Sequence, residues 1–288
     1  MRVTALIAPY LEHQRTYNKP NTVSSAEHSL RVLLAHFGDC ELATLRADDV
    51  DAFVRRRRSQ VKDVSVNKDL RVLRGLLHFG VRRGLLDELP VAVRLLRAPN
   101  KRELPVLGKR EVELLLRHAR EPYFGILLVA AQTAFRTGEI LHLQWRDIYF
   151  SERRIAVTSK PGWSAKSHQE RSVFASPRVM DHLRVRRRAA RHGGATDWVF
   201  ATRHGTPMSR HNAAREIRKV FRRAGLYEKG RPLLHWLRHS VCSNLLGAGV
   251  DIETCRQLMG HGTIQTTQLY AHTTDARLRR ASRLVGLT

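Results

Sequence analysis

The sequence predicts a mainly α-helical chain in two parts: a helical N-terminal domain, then an α+β domain that carries a small antiparallel sheet. Three observations lead there. The chain has 288 residues, about two domains at ~150 residues each. Apolar residues recur at helical spacing through residues 1–98, and no segment there alternates like a strand. The stretch Arg97-Ala98-Pro99-Asn100-Lys101-Arg102-Glu103-Leu104-Pro105 mixes prolines, an asparagine and charges of both signs. It reads as an exposed linker at 99–104 between domains at 1–98 and 105–288.

The elements follow in order. Met1 to Tyr10 reads as the first turns of a helix. Thr22-Val23-Ser24-Ser25 caps a second helix carrying Leu30, Leu33, Leu34 and Phe37, and Gly38 stops it. Asp48-Asp49 opens a short helix with Val50, Phe53 and Val54 on one side, ending in Arg55-Arg56-Arg57-Arg58. Ser65 opens a longer one with Val66, Leu70, Leu73, Leu76, Leu77 and Val81 inward and Lys68, Arg71 and Arg74 on its polar side. Gly84 ends it. In the second domain, 109–119 and 123–132 are helical by pattern. Ile155-Ala-Val-Thr, Arg171-Ser-Val-Phe and Trp198-Val-Phe-Ala read as three short strands. Helices return at 212–224, 237–248 and 252–259, with a tail from Asp275.

Composition narrows the function. Hydrophobic residues are 42% and charged residues 27%, ordinary for a globular chain, which excludes a disordered or collagen-like one. The net charge is +25, from 51 Lys and Arg against 26 Asp and Glu, and all but 9 of the 51 are Arg. Arginine's planar fork meets phosphate oxygens two at a time, so the expected partner is a polyanion, DNA or RNA first. The longest nearly apolar run, 125–135, is too short for a membrane span. Three scattered cysteines imply a reducing compartment, so the expected location is cytoplasmic.

Four places carry chemistry: Thr133-Ala134-Phe135-Arg136-Thr137-Gly138-Glu139-Ile140; Lys166 to Arg171; His235-Trp236-Leu237-Arg238-His239; and Gly260-His261 onward to Tyr270. His235 and Arg238 share a helix face. Two guanidinium forks and two imidazoles suit a phosphodiester near its pentacoordinate transition state. A tyrosine is a poor nucleophile at its free pKa of ~10, but nearby positive charge favours its phenolate. A lysine on a turn can protonate a leaving oxygen. No carboxylate cluster suits Mg²⁺, so the expected cofactor and metal are none. Cys242, Cys255 and His261 lack the spacing of a zinc site.

The ordered set Arg136, Lys166, His235-x-x-Arg238, His261 and Tyr270 resembles the tyrosine recombinases: phage integrases and the Xer-type enzymes. The resemblance covers the whole chain, with residues 1–98 similar to the family's helical core-binding (SAM-like) domain and 105–288 to its catalytic domain. It implies that Tyr270 attacks a scissile phosphate to give a 3′-phosphotyrosyl link and a free 5′-hydroxyl. Arg136 and Arg238 would hold the non-bridging oxygens, His235 and His261 would add hydrogen bonds, and Lys166 would protonate the leaving oxygen. Glu139 would orient Arg136 from behind. The covalent link conserves the phosphodiester energy, so no ATP is needed. Partners implied are duplex DNA at a specific site and a homotetramer on the synapse, with a second recombinase or a DNA-bending protein as further candidates, and no membrane.

The pattern departs from the family in four places. Ala134 replaces the glycine of Thr-Gly-x-Arg, Met259 the leucine of Leu-Gly-His, and Trp236 stands where aspartate is common. The lysine has two candidates. Counted forward from Arg136, Lys160 has the Xer-type spacing; counted back from Glu170-Arg171, Lys166 has it, and that strand favours Lys166. Arg55, Arg56, Arg57, Arg58, Lys68, Arg71 and Arg74 are candidate phosphate contacts. The alternatives to a recombinase are a type IB topoisomerase-like relaxase and a catalytically idle DNA-binding regulator on the same fold.

Overall fold

The computed structural model describes residues 1–97, 105–165 and 170–268. It divides into two compact units, Met1–Arg102 and Glu103–Thr288. The expected linker at 99–104 lies outside the described residues.

The first unit holds α1 (Val3–Tyr17), α2 (Pro20–Phe37), α3 (Ala47–Arg58) and α4 (Asp63–Arg82), with a 3₁₀ turn at Leu42–Thr44. Helix α2 starts before the expected Thr22–Ser25 cap. Pro20 occupies its first turn, where a missing N–H costs nothing. Helix α4 opens at Asp63, two residues before Ser65, because an acid is favoured at the positive end of a helix. Helices α1, α2 and α4 pack on one another and bury Leu6, Leu30, Leu33, Leu70, Leu73 and Leu77. Each such leucine contributes ~1.5–3 kcal/mol, so this apolar seam sets the bundle. Gly80 on α4 lets the chain fold back. A Cβ there would meet Leu86 Cδ1 at 2.8 Å. Asn67 then pins the returning segment, its amide bonding Leu96 O at 2.8 Å and accepting from Leu96 N at 2.7 Å.

The second unit is built around α6 (Tyr123–Thr133), apolar on every side and therefore central. Around it stand α5 (Lys109–Arg117), α7 (Thr137–Leu141), α8 (Pro177–Ala189), α9 (Arg210–Arg223) and α10 (Leu233–Gly247). Helices α11 (Ile252–Met259) and α12 (Ile264–Gln268) follow, α11 packing on α10.

The sheet corrects one expectation. Its strands are β1 (Ile148–Tyr149), β2 (Arg154–Val157) and β3 (Arg171–Phe174), antiparallel in that order, with Ile155 paired to Ile148 on one side and Val173 on the other. The run Trp198-Val-Phe-Ala is not its third strand. Trp198 and Ala201 make only single bridges, to Gln144 and Pro207. That run is apolar because Val199 and Phe200 are buried in the core, and burial alone does not distinguish strand from loop. Helix α10 also begins at Leu233, not at 237, which places both His235 and Arg238 on it, one turn apart.

Candidate active site

The site begins where α6 ends. Thr133 returns its hydroxyl to Val129 O at 2.8 Å, and Ala134 turns the chain in the left-handed region (φ 53°). A glycine would adopt this conformation more cheaply than alanine does. The turn frees two groups. Ala134 O accepts from Arg238 Nη1 at 2.6 Å, and Arg136 becomes the residue before α7.

Glu139 on α7 is the hub. It is buried, and its two oxygens take four short bonds. Oε2 accepts from the Arg136 backbone N–H at 2.7 Å and from Arg171 Nη2 at 2.7 Å; Oε1 accepts from Arg136 Nη1 at 2.9 Å and Arg171 Nη1 at 3.2 Å. Arg238 Nη1 lies 3.9 Å from Oε2. Burial opposes a charge here, but Arg171 and then Arg136 outweigh it and hold the carboxyl below its usual range.

Backbone carbonyls from α11 complete the cradle. Arg136 Nη2 donates to Gly260 O at 2.8 Å, Arg171 Nε to Leu258 O at 3.0 Å, and Arg238 Nη2 to Met259 O. Three consecutive carbonyls thus hold three arginines. Gly260 is left-handed (φ 60°) and lies against Arg171, whose Nη1 would be 2.7 Å from a Cβ. The turn delivers His261 into the site. His261 is buried, with Nδ1 2.9 Å from Thr267 Oγ1. Burial first, then Arg238, Arg136, Arg171 and His235, lower its pKa to about 4, so the ring is neutral at neutral pH. His235 is exposed on α10, and its pKa is lowered by desolvation, then by Arg238, His239 and Arg136. Arg136 keeps part of its guanidinium open, with its side chain 24% exposed.

The structure thus brings Arg136, Glu139, His235, Arg238 and His261 together. Lys166 and Tyr270 lie outside the described residues. Lys160 is described. Pro161-Gly162 forms a tight turn in which Lys160 and Trp163 exchange backbone hydrogen bonds at 2.9 Å, with Gly162 at φ 74°. The turn folds Trp163 flat on His142, with ring centroids 4.8 Å apart. Beneath it the Lys160 amine is buried, 2.8 Å from both Asp147 Oδ2 and Thr158 O. Burial lowers its pKa although Asp147 opposes the shift.

Two residues were not singled out as site residues from the sequence. Arg171 served only to fix the register of β3, yet it carries as many bonds to Glu139 as Arg136 does. Its signal is alternation: Arg171 is two residues from the buried Val173, on the same face of β3. Arg210, the first residue of α9, lies against Gly138, with Nη2 2.2 Å from where a Cβ would stand. In the first unit, Arg55, Arg56, Arg71 and Arg74 are exposed and make no ion pair among the described residues, and Lys68 is half-buried. Arg57 and Arg58 are committed to Asp69 (2.9 Å) and Asp63 (3.0 Å).

Comparison with known proteins gives the family. Residues 105–277 match the phage integrase family, and residues 8–84 the phage integrase N-terminal SAM-like domain. The tyrosine recombinase XerD of Mycobacterium tuberculosis (strain ATCC 25618 / H37Rv) is 31% identical over 309 residues, spanning 97% of this chain and 96% of the relative. Among solved structures, the Tn1549 transposon integrase in complex with transposon right end DNA superposes with a TM-score of 0.82 at 21% identity over 99% of this chain and all of that one. A lambda integrase dimer bound to a COC′ core site gives 0.78 at 16% identity, over 94% of this chain and 96% of that one. With both regions matched and the arginines and histidines converging as they do, this chain belongs to the phage integrase family and is a tyrosine-type site-specific recombinase.

Proposed function

We propose that the chain cleaves and rejoins duplex DNA with Tyr270 as nucleophile and the Arg136–Arg238–His235–His261 cluster as the phosphate site. The observation that carries this reading is the convergence of four side chains from positions 136 to 261: Arg136 and Arg238 meet at the buried Glu139, and His235 and His261 lie close enough to both arginines for their charge to lower the imidazole pKa values. The Tyr270 oxygen attacks phosphorus, the bond to O5′ breaks, and the tyrosine proton leaves toward His235 or solvent. Arg136 and Arg238 stabilise the charge that develops on the non-bridging oxygens. Neutral His261 donates to the same oxygens without adding charge. Rejoining reverses the steps with a 5′-hydroxyl from the partner strand.

A hairpin lysine supplies the proton to O5′, and the reading takes Lys166 as donor. One observation favours Lys160 as a second reading. Its amine is desolvated, and a lowered pKa suits a general acid near neutral pH. In that case Asp147 is the partner it leaves.

The Tn1549 and lambda integrase structures carry DNA, which supports duplex DNA as partner here. Exposed Arg55, Arg56, Arg71 and Arg74 place positive charge on α3 and α4, and α4 is proposed for the major groove. Four protomers would act on a synapse. The tail from Asp275, with Leu278, Leu284 and Val285, lies outside the described residues; its proposed role is to dock on a neighbour. An apolar groove of ≈ 620 Å³ on the second unit, between Leu116, Leu128, Leu237 and Leu258 with Phe174 at its rim, suits such a segment. Among the described residues no helix is long and apolar enough to cross a membrane. The three cysteines form no disulfide among the described residues, which supports the cytoplasm as its place.

The test is a nicked suicide substrate that traps the covalent intermediate. A protein–DNA adduct that is absent from Tyr270→Phe supports the reading. Specific binding with no adduct from the native chain overturns it in favour of a regulator. A substrate with sulfur at the 5′-bridging position needs no proton on its leaving group, so it rescues Lys166→Ala if Lys166 is the donor and Lys160→Ala if Lys160 is.

A further inference from the structure

We infer that Arg171 is a positioning residue for cleavage: from the hairpin strand β3 it balances the charge of Glu139, so that Arg136 faces the phosphate as a cation. This rests on the proposed role of Arg136 and goes beyond it.

Arg136 and Arg171 each give Glu139 two hydrogen bonds, and each carboxylate oxygen takes one from each residue. Among the described residues Glu139 is the one carboxylate within ion-pair reach of either guanidinium. Take Arg171 away and the buried carboxylate has Arg136 as its main counter-ion. The pair is then neutral as a unit, and its pull on an approaching phosphate falls. With Arg171 in place, two cations share the anion directly, and with Arg238 at 3.9 Å the site carries more net positive charge than it would without Arg171. The exposures divide the labour. The Arg171 side chain is 9% exposed and that of Arg136 is 24% exposed, so Arg171 is set behind and Arg136 faces out.

Arg171 also acts mechanically. Arg171 donates Nε to Leu258 O, lies against Gly260 and stands over the Phe135 ring at 5.1 Å from its centroid. It therefore touches the residue before Arg136 and the turn that delivers His261. A side chain rooted in β3 thus couples the β2–β3 hairpin, which carries both candidate lysines, to the arginine and histidine side of the site. A displacement of about 1 Å in such a site costs on the order of 100-fold in rate.

The experiment measures single-turnover adduct formation on the suicide substrate, and DNA affinity separately. Arg171→Met should slow adduct formation by about 100-fold while affinity changes by less than ~3-fold. Arg171→Lys, which keeps the charge but not the fork, should fall between. Arg171→Met combined with Glu139→Gln, which removes the uncompensated charge, should recover at least ~10-fold over Arg171→Met. A packing role predicts no such recovery. The inference is overturned if Arg171→Met cleaves within ~3-fold of the native chain, or if the double variant is no faster than the single. Should Arg171→Met not fold, Arg171→Lys decides: full native rate in it overturns the inference. Arg136→Ala separates the two levels. If it cleaves normally, the phosphate-site reading itself fails; if it is inactive while Arg171→Met is native-like, only the present inference fails.

Discussion

Each unit buries one carboxylate against arginine, and the two arrangements differ in how the charge closes. In the first unit Asp69 lies on α4. Ser29 donates its hydroxyl to Oδ1 at 2.6 Å and Arg57 its Nε to Oδ2 at 2.9 Å. One anion meets one cation and one neutral donor, which gives a closed staple between α2, α3 and α4. In the second unit Glu139 meets Arg136 and Arg171 directly and Arg238 at 3.9 Å, while carbonyls of residues 258–260 each accept one further bond from these arginines. One anion meets three cations. A set of cations this dense is costly unless a further anion arrives, and a phosphodiester is such an anion. The comparison teaches that the same pair of residue types makes a structural tie when charges balance and a binding site when they do not.

The largest effect should come from the second hub. Glu139→Ala leaves Arg238, with its side chain 2% exposed, facing Arg171 without their shared counter-charge, and should cost ~3–5 kcal/mol. Asp69→Ala should cost less, about 1–3 kcal/mol, because Arg57 is at the rim and turns toward water. Urea unfolding of both variants checks this, and equal losses would break the contrast.

Next is pH. His261 has a folded pKa of about 4 against an ordinary 6.5, so between those values the unfolded chain binds more protons. Stability contributed by the neutral ring is present above pH 6.5 and is lost as pH falls toward 4. Thermal melts across that window should show a falling Tm, flattened in His261→Gln. A bound phosphate should narrow the effect, because it favours the protonated ring.

The smallest effect sharpens the contrast inside the arginine run. Arg55→Ala with Arg56→Ala should lower DNA affinity and reduce the salt slope of log K by about 2, leaving stability within ~0.5 kcal/mol. Arg57→Ala should do the reverse: loss of stability of about 1–3 kcal/mol from an orphaned Asp69, with little change in slope. A salt titration of binding, run beside unfolding, separates them. If Arg57→Ala changes the slope as much as the pair does, the staple reading of Asp69 fails.

Much of this was legible in the residues. The apolar spacing of Leu70, Leu73 and Leu77 announces α4, and Gly38 and Gly84 mark real stops. The order Arg136, His235, Arg238, His261 announces the chemistry, because phosphate chemistry needs those groups whatever brings them together. Trp198-Val-Phe-Ala misled because an apolar run reports burial, and a loop crossing a core is as buried as a strand. Lys160 could be counted from the sequence, but nothing local says that a Pro-Gly turn buries its amine against Asp147.

Periodicity and side-chain chemistry are local properties of the chain, so the helical bundle, the basic charge and the candidate reacting groups can be read from residue order alone. Which arginines face outward and which are consumed is a property of the folded chain. Ion pairs such as Arg57–Asp69 and Arg171–Glu139 span 12 and 32 residues, and no spacing rule fixes them. They form because a buried charge must find whatever opposite charge the fold sets beside it.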